Sequence, residues 1–298
     1  MSIINNAGAG SQISLLCMIY RVISRNNGKL TVDEITMLCR PDNLSTNDNQ
    51  RKKFKKELDF WMEDGHQLWR KNSDDRLCIA DVKGDSSLNS IAVLTNDALF
   101  VSRVGDLFGA RTHDHDTRDL FIYMSCILSD DRFLPNSPGV LDNSSLDNIC
   151  QYLPGPPNGN ERRFLLNYGL FLGYLEAVSG GSVVDPTRAV RGALPRIFDE
   201  KKTLKAKDFF TRLSVSIPLL DGGQYRQQVE EKMKSNGWIN SIPENHISRS
   251  LSHALIRLQM SNVIELDGDD DDRTALYLQQ PDRSITVGSL SYKEIIAA

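Results

Sequence analysis

The sequence has no paired cysteines, no long apolar run and no glycine-rich phosphate loop, and each absence closes a class of function. Its five cysteines, Cys17, Cys39, Cys78, Cys126 and Cys150, are odd in number, widely spaced and without a C-x-x-C pair. That spacing argues against a disulfide framework or a zinc knuckle and predicts buried thiols in a reducing compartment. No stretch reaches the roughly eighteen uninterrupted apolar residues of a membrane span. The opening MSIINNAGAG has neither a basic n-region nor an apolar h-region, so a soluble cytoplasmic protein without a membrane partner is expected. A Walker A loop, a G-x-G-x-x-G after a strand and a G-x-S-x-G elbow are all missing, and with them the usual signs of nucleotide, dinucleotide or serine-hydrolase chemistry. The expectation is a protein that is not an enzyme and holds no cofactor.

What is present is an ordinary globular composition: 298 residues, 40% hydrophobic and 25% charged. That length allows two or three units, each with its own core. Net charge is −4, so contact with a polyanion requires a local basic patch.

The first 80 residues are punctuated clearly. SQISLLCMIYRVISRNNG places Ile13, Leu16, Cys17, Tyr20 and Ile23 at helical spacing, with Ser11 as N-cap and Gly28 past the end. In TVDEITMLCR, Thr31 and Glu34 form a capping-box pattern, Val32, Ile35 and Leu38 form an apolar stripe, and Pro41 ends the helix. A third helix, RKKFKKELDFWMEDG, sets Phe54, Leu58 and Trp61 within about 60° on a helical wheel, with Lys52 and Lys56 opposite and Gly65 as the stop. QLWRKNSDDRLCIAD then reads as a β-hairpin around Asn-Ser-Asp-Asp. Three helices followed by a hairpin is the order of a winged helix-turn-helix.

After the linker KGDSSLNS, SIAVLTNDALFVSR is expected to be a strand, followed by helices over 116–130, 144–153, 162–178 and 187–198. Phe164, Tyr168, Phe171 and Tyr174 recur at helical spacing and read as core. Further helices over 205–215 and 223–235 lead to ISRSLSHALIRLQMSN, with Ile247, Leu251, Ala254, Leu255 and Leu258 on one face. VIELDGDDDDRTALYL is expected to close a second hairpin, and the tail after Pro281 carries no pattern. The fold expected is therefore mainly α with small β-hairpins, with winged helix-turn-helix units at both ends of a helical middle. The expected limits are 1–83, 84–203 and 204–298.

The third helix carries the sharpest functional signal. Arg51, Lys52, Lys53, Lys55 and Lys56, with Arg70 and Lys71 entering the wing, put cations where DNA phosphates would run. Asn49 and Gln50 stand where they could reach a base edge. The plainer alternative is a solvated or protein-facing surface, since Lys53 could pair with Glu57 and Lys55 with Asp59, each worth roughly 0.3 kcal/mol. Against it, Lys52 and Lys56 repel one another, and cations at a helix N-terminus oppose the macrodipole. The C-terminal unit offers Arg249, His253 and Arg257 on its third helix beside the acidic run Asp267 to Asp272, which suits a protein partner better than phosphate.

Signals for other chemistry are weak. His113 and His115 with Asp114 and Asp116 are metal-ligand types, but the segment also serves as a polar entry to a helix. Asp42, Asp81 and Lys83 loosely match a nuclease pattern, as do Asp185, Asp199, Glu200 and Lys201. KMKS at 232–235 stands without the rest of a synthetase domain.

GSQISLLCMIYRVISRNNGKLTVDEITMLCRP followed by RKKFKKELDFWMEDG, and more faintly VVDPTRAVRGALPRIF, resembles DpdG. DpdG proteins are accessory proteins of bacterial clusters that place 7-deazaguanine derivatives in DNA and restrict unmodified DNA. The resemblance implies a non-catalytic DNA-contacting or adaptor subunit of an anti-phage system, working beside an ATPase, helicase or nuclease, and supplies no active site. Three readings result: DNA docking through the N-terminal winged helix, a protein-to-protein adaptor of a defence or chromosome-organising complex, or a metal-dependent nuclease using His113 and His115. A homo-oligomer is compatible with each.

Overall fold

A computed structural model describes residues 2–39, 48–62, 66–79, 88–101, 105–109, 115–135, 137, 139–239, 242–243, 245–268, 275–280 and 283–293, with backbone alone for 48–51, 88–90, 101 and 115. The chain is about half helical, with small antiparallel strands. It forms two compact units, Met1–Gly105 with His113–Asp119, and Asp106–Thr112 with Leu120–Ala298.

In the first unit, α1 (Ile13–Arg25) buries Leu16, Ile19, Tyr20 and Ile23. Ser11 is not its cap: Gln12 stands at that position without a side-chain bond, and the Ser11 hydroxyl donates to Asn6 O at 3.4 Å. Gly28 adopts φ 71° and donates its amide to Leu77 O at 2.9 Å, a left-handed conformation that glycine takes without strain. The turn feeds β1 (Leu30–Thr31) and α2 (Val32–Cys39). The capping box forms as expected, Thr31 N–H donating to Glu34 at 2.8 Å and Glu34 N–H to Thr31 Oγ1 at 3.3 Å. The stripe on α2 is narrower than expected: Ile35 is buried, while Leu38 is 59% exposed. Pro41 and Gly65 lie outside the described residues.

Next come α3 (Asp48–Phe60), β2 (Trp69–Lys71) and β3 (Arg76–Ile79), the strands forming an antiparallel sheet in the order β1-β3-β2. The segment expected to be a strand near 90–103 is instead α4 (Leu88–Val101). Ile91, Ala92, Thr95, Asn96, Ala98 and Leu99 are buried, a spacing of one helical face. Fourteen residues suit a helix better than a strand.

The remaining helices are α5 (His115–Leu128), α6 (Ser145–Cys150), α7 (Gly159–Leu172), α8 (Thr187–Phe198), α9 (Ala206–Ser216), α10 (Gln224–Ser235) and α11 (Arg249–Met260). The expected helix over 162–178 ends early, because Gly173 adopts φ 87° and turns the chain into the hairpin β4 (Leu175–Val178) and β5 (Gly181–Val184). The expected core residues Phe164, Tyr168 and Tyr174 are buried.

The hairpin expected over 263–278 does not form. β7 (Ile264–Asp267) pairs with β10 (Ser289–Tyr292), whereas β8 (Leu276–Gln279) pairs with β9 (Ser284–Val287). The unpatterned tail thus supplies the central strand of a sheet ordered β6-β10-β7, with β6 at Thr203–Lys205. The order of the first unit, α1-β1-α2-α3-β2-β3, recurs as α8-β6-α9-α11-β7-β10, with α10 and the β8-β9 hairpin inserted. A buried ionic cluster ties this region together. Arg226 on α10 is 3% exposed and bonds Asp221 and Glu230, while Asp221 accepts the Ser248 hydroxyl at 2.8 Å just before α11.

Among the five thiols Cys126 and Cys150 are buried and the other three half-buried, all free of disulfides. No described helix is long and apolar enough to cross a membrane.

Candidate nucleic-acid interface

On α3 the apolar spacing and the charges separate cleanly. Phe54, Leu58, Phe60 and Trp61 are buried, while Lys52, Lys53, Lys55 and Lys56 are exposed. The backbone of Asn49, Gln50 and Arg51 belongs to α3, but their side chains lie outside the described residues.

A residue that the sequence reading missed is Glu57. It is 2% exposed on the core side and accepts Trp61 Nε1–H at 3.1 Å. Burial pushes its carboxyl up to about 7, against hydrogen bonds from Trp61 and the Gln12 and Gly10 amides. The charge of the exposed Lys53 also favours the ionised carboxyl, but burial outweighs it. Among the described residues Lys52, Lys55 and Lys56 take part in no ion pair. The signal for Glu57 was present: on the wheel it falls about 40° beyond Trp61, at the edge of the apolar face.

The hairpin is fixed to this helix. Trp69 Nε1–H donates to Leu58 O at 3.0 Å, so the first strand of the hairpin is pinned to the back of α3. The Asn72 side chain accepts the Asp74 and Arg76 amides, each at 3.0 Å, closing the turn that its neighbours Ser73, Asp74 and Asp75 complete. Arg70 and Lys71 are both exposed on β2. Lys71 meets Asp75 at 2.7 Å in a solvent-exposed pair that is weak and screened by salt. The wing thus presents cations beside two acids.

On the matching helix of the second unit, α11, cations stand beside carboxylates. Arg257 bonds both Glu176 and the buried Asp185, and His253 Nε2 lies 3.9 Å from the same Asp185. Burial opposes the ionised Asp185, yet Thr187 and Arg257 hold its carboxyl below the usual range. Burial lowers the His253 pKa despite that neighbour. The third cation of the helix, Arg249, lies in the field of Asp131. Asp185 is buried and engaged by Arg257 and Thr187, whereas Asp199, Glu200 and Lys201 are exposed. Asp42, Asp81, Lys83, His113 and Asp114, like the His115 side chain, lie outside the described residues. Among those described, no three His, Cys, Asp or Glu residues gather to hold a metal.

A family model described as DpdG-like matches residues 1–272. The chain belongs to the DpdG-like family. No curated protein and no solved structure matches it. Membership in the DpdG-like family associates it with a 7-deazaguanine DNA modification system, and makes other proteins of that system plausible partners.

Proposed function

We propose that this DpdG-like protein is a non-catalytic DNA-docking and adaptor subunit of a 7-deazaguanine modification and restriction system. Residues 13–79 act as a winged helix-turn-helix, with α3 as the helix that faces the groove and the β2–β3 hairpin as its wing. The order α1-β1-α2-α3-β2-β3 and the sheet order β1-β3-β2 support that reading. The observation that carries it is the exposure of Lys52, Lys53, Lys55 and Lys56 on α3 while Glu57 turns inward.

The mechanism is electrostatic docking. Lysines on α3 and Arg70 and Lys71 on the wing replace counterions along the phosphate backbone, setting the register of the protein without reading sequence. Asn49 and Gln50 at the start of α3 are the side chains assigned to base edges. The α8-β6-α9-α11-β7-β10 region is a second winged helix whose recognition helix has its cations engaged by carboxylates. It therefore does not dock through α11, and other proteins of the system, such as an ATPase, helicase or nuclease, take its wing side.

Crosslinking of lysines to a duplex, followed by peptide mapping, tests this directly. Adducts are expected within Asp48–Phe60 and Trp69–Lys71. Their absence from both segments would remove the docking role of α3 and its wing.

A further inference from the structure

The second unit carries an exposed basic strip on elements that the docking model above does not use. From Arg191 to Asp208 there are six cations, Arg191, Arg196, Lys201, Lys202, Lys205 and Lys207, against three acids, Asp199, Glu200 and Asp208. All six cations are exposed. Where this unit uses cations to hold itself together, as at Arg226 and Arg257, carboxylates surround them. Among the described residues, by contrast, Arg191, Lys201, Lys202, Lys205 and Lys207 form no ion pair. Like charges crowded without partners repel, and a polyanion would relieve that repulsion.

The strip follows three consecutive elements: the exposed side of α8, the turn into β6, and the first turn of α9. Leu204 points into the core, so its strand neighbour Lys205 points outward from the edge strand of the sheet. Lys205 is also the N-cap residue of α9, which has no side-chain cap there. Helix N-termini are common contacts for phosphate, and in a helix-turn-helix the helix before the recognition helix crosses the backbone.

Comparison with the first unit sharpens the assignment. Its matching helix, α2, begins with the reciprocal Thr31–Glu34 cap and carries Asp33 and Glu34 in its first turn, a terminus closed to anions. There the cations sit on α3. In the second unit Arg257 on α11 is engaged by carboxylates, Glu265 and Asp267 on β7 are exposed, and the cations flank the start of α9, whose first turn carries one acid, Asp208, and no side-chain cap.

We infer that the α8–β6–α9 edge is a second binding surface for the phosphate backbone of duplex DNA, separate from α3 and centred on Lys205 and Lys207. The inference rests on DNA being a ligand of this chain, but not on α3 being the element that binds it.

The test is fluorescence anisotropy of a labelled duplex with the full chain across about 50 to 200 mM salt, where each lost phosphate contact lowers the logarithmic salt slope by about one. Four proteins are compared: wild type, Lys205→Glu/Lys207→Glu, Lys52→Glu/Lys56→Glu, and the combination. Lys205→Glu/Lys207→Glu is expected to reduce the slope by about two, and the combination to weaken binding more than either pair alone. Lys201→Glu/Lys202→Glu, in the turn before β6, repeats the test without touching the start of α9 and should also flatten the slope. Wild-type slope and affinity in both of these pairs would overturn the inference and leave the strip to an acidic protein. Loss confined to them, with Lys52→Glu/Lys56→Glu unchanged, would support this surface and overturn the role of α3. No wild-type binding at low salt would overturn both.

Discussion

Glu57 shows how much one side chain decides. Its carboxyl is buried beside Trp61, and its pKa is raised to about 7. The folded state therefore binds its proton more tightly than the unfolded chain does, so its ionisation removes stability as pH rises from about 4 to about 7. Below that window the buried group is neutral and the penalty vanishes. Relative to Glu57→Gln, the wild type should lose on the order of 3 kcal/mol between pH 4 and pH 8, read from denaturant unfolding of both proteins at each pH. A difference that stays flat across the window would mean that the carboxyl is solvated. The sequence carried the wheel position of Glu57, but the competing surface partner, Lys53 at i,i+4, was equally legible. The Trp61 indole and the Gln12 and Gly10 amides reach the carboxyl on the inner side of the helix, while Lys53 acts on it through its charge.

At the scale of elements, local chemistry was readable and long-range pairing was not. The Thr31–Glu34 cap, the Asn72 turn and the apolar faces of α3 and α11 depend on neighbours a few residues apart, and all are present in the structure. SIAVLTNDALFVSR was ambiguous because a continuous apolar run fits either a buried strand or a buried helix. The β7 pairing was hidden for a different reason: its partner β10 lies beyond two intervening strands, and a short run such as Ser289–Tyr292 carries little signal of its own. Leu290 is fully buried at the centre of that sheet, opposite Leu204 and Leu266. Leu290→Asp should therefore cost about 3 kcal/mol or more, through lost packing and a buried charge. Denaturant unfolding measures it, and a loss below about 1 kcal/mol would contradict the central place of β10. Of the candidate site, Lys52, Lys53, Lys55 and Lys56 were legible as exposed cations because the apolar spacing of α3 fixed which side faces water, and Arg70 because strand alternation sets it opposite the buried Trp69.

Across the whole molecule, one order of elements occurs twice while the charge is distributed differently. In the first copy the helix before the hairpin is basic and exposed; in the second, Glu176 and Asp185 engage its arginine and the exposed cations move to the α8–β6–α9 edge. A net charge of −4 is compatible with both basic surfaces because each is local. The central claim, that α3 docks the chain on DNA, is tested most directly by the salt dependence of duplex affinity in wild type and Lys52→Glu/Lys56→Glu between about 50 and 200 mM. The account predicts wild-type binding that weakens steeply with salt, and a variant with lower affinity and a slope shallower by about two. Equal affinity and slope in the two proteins would contradict it.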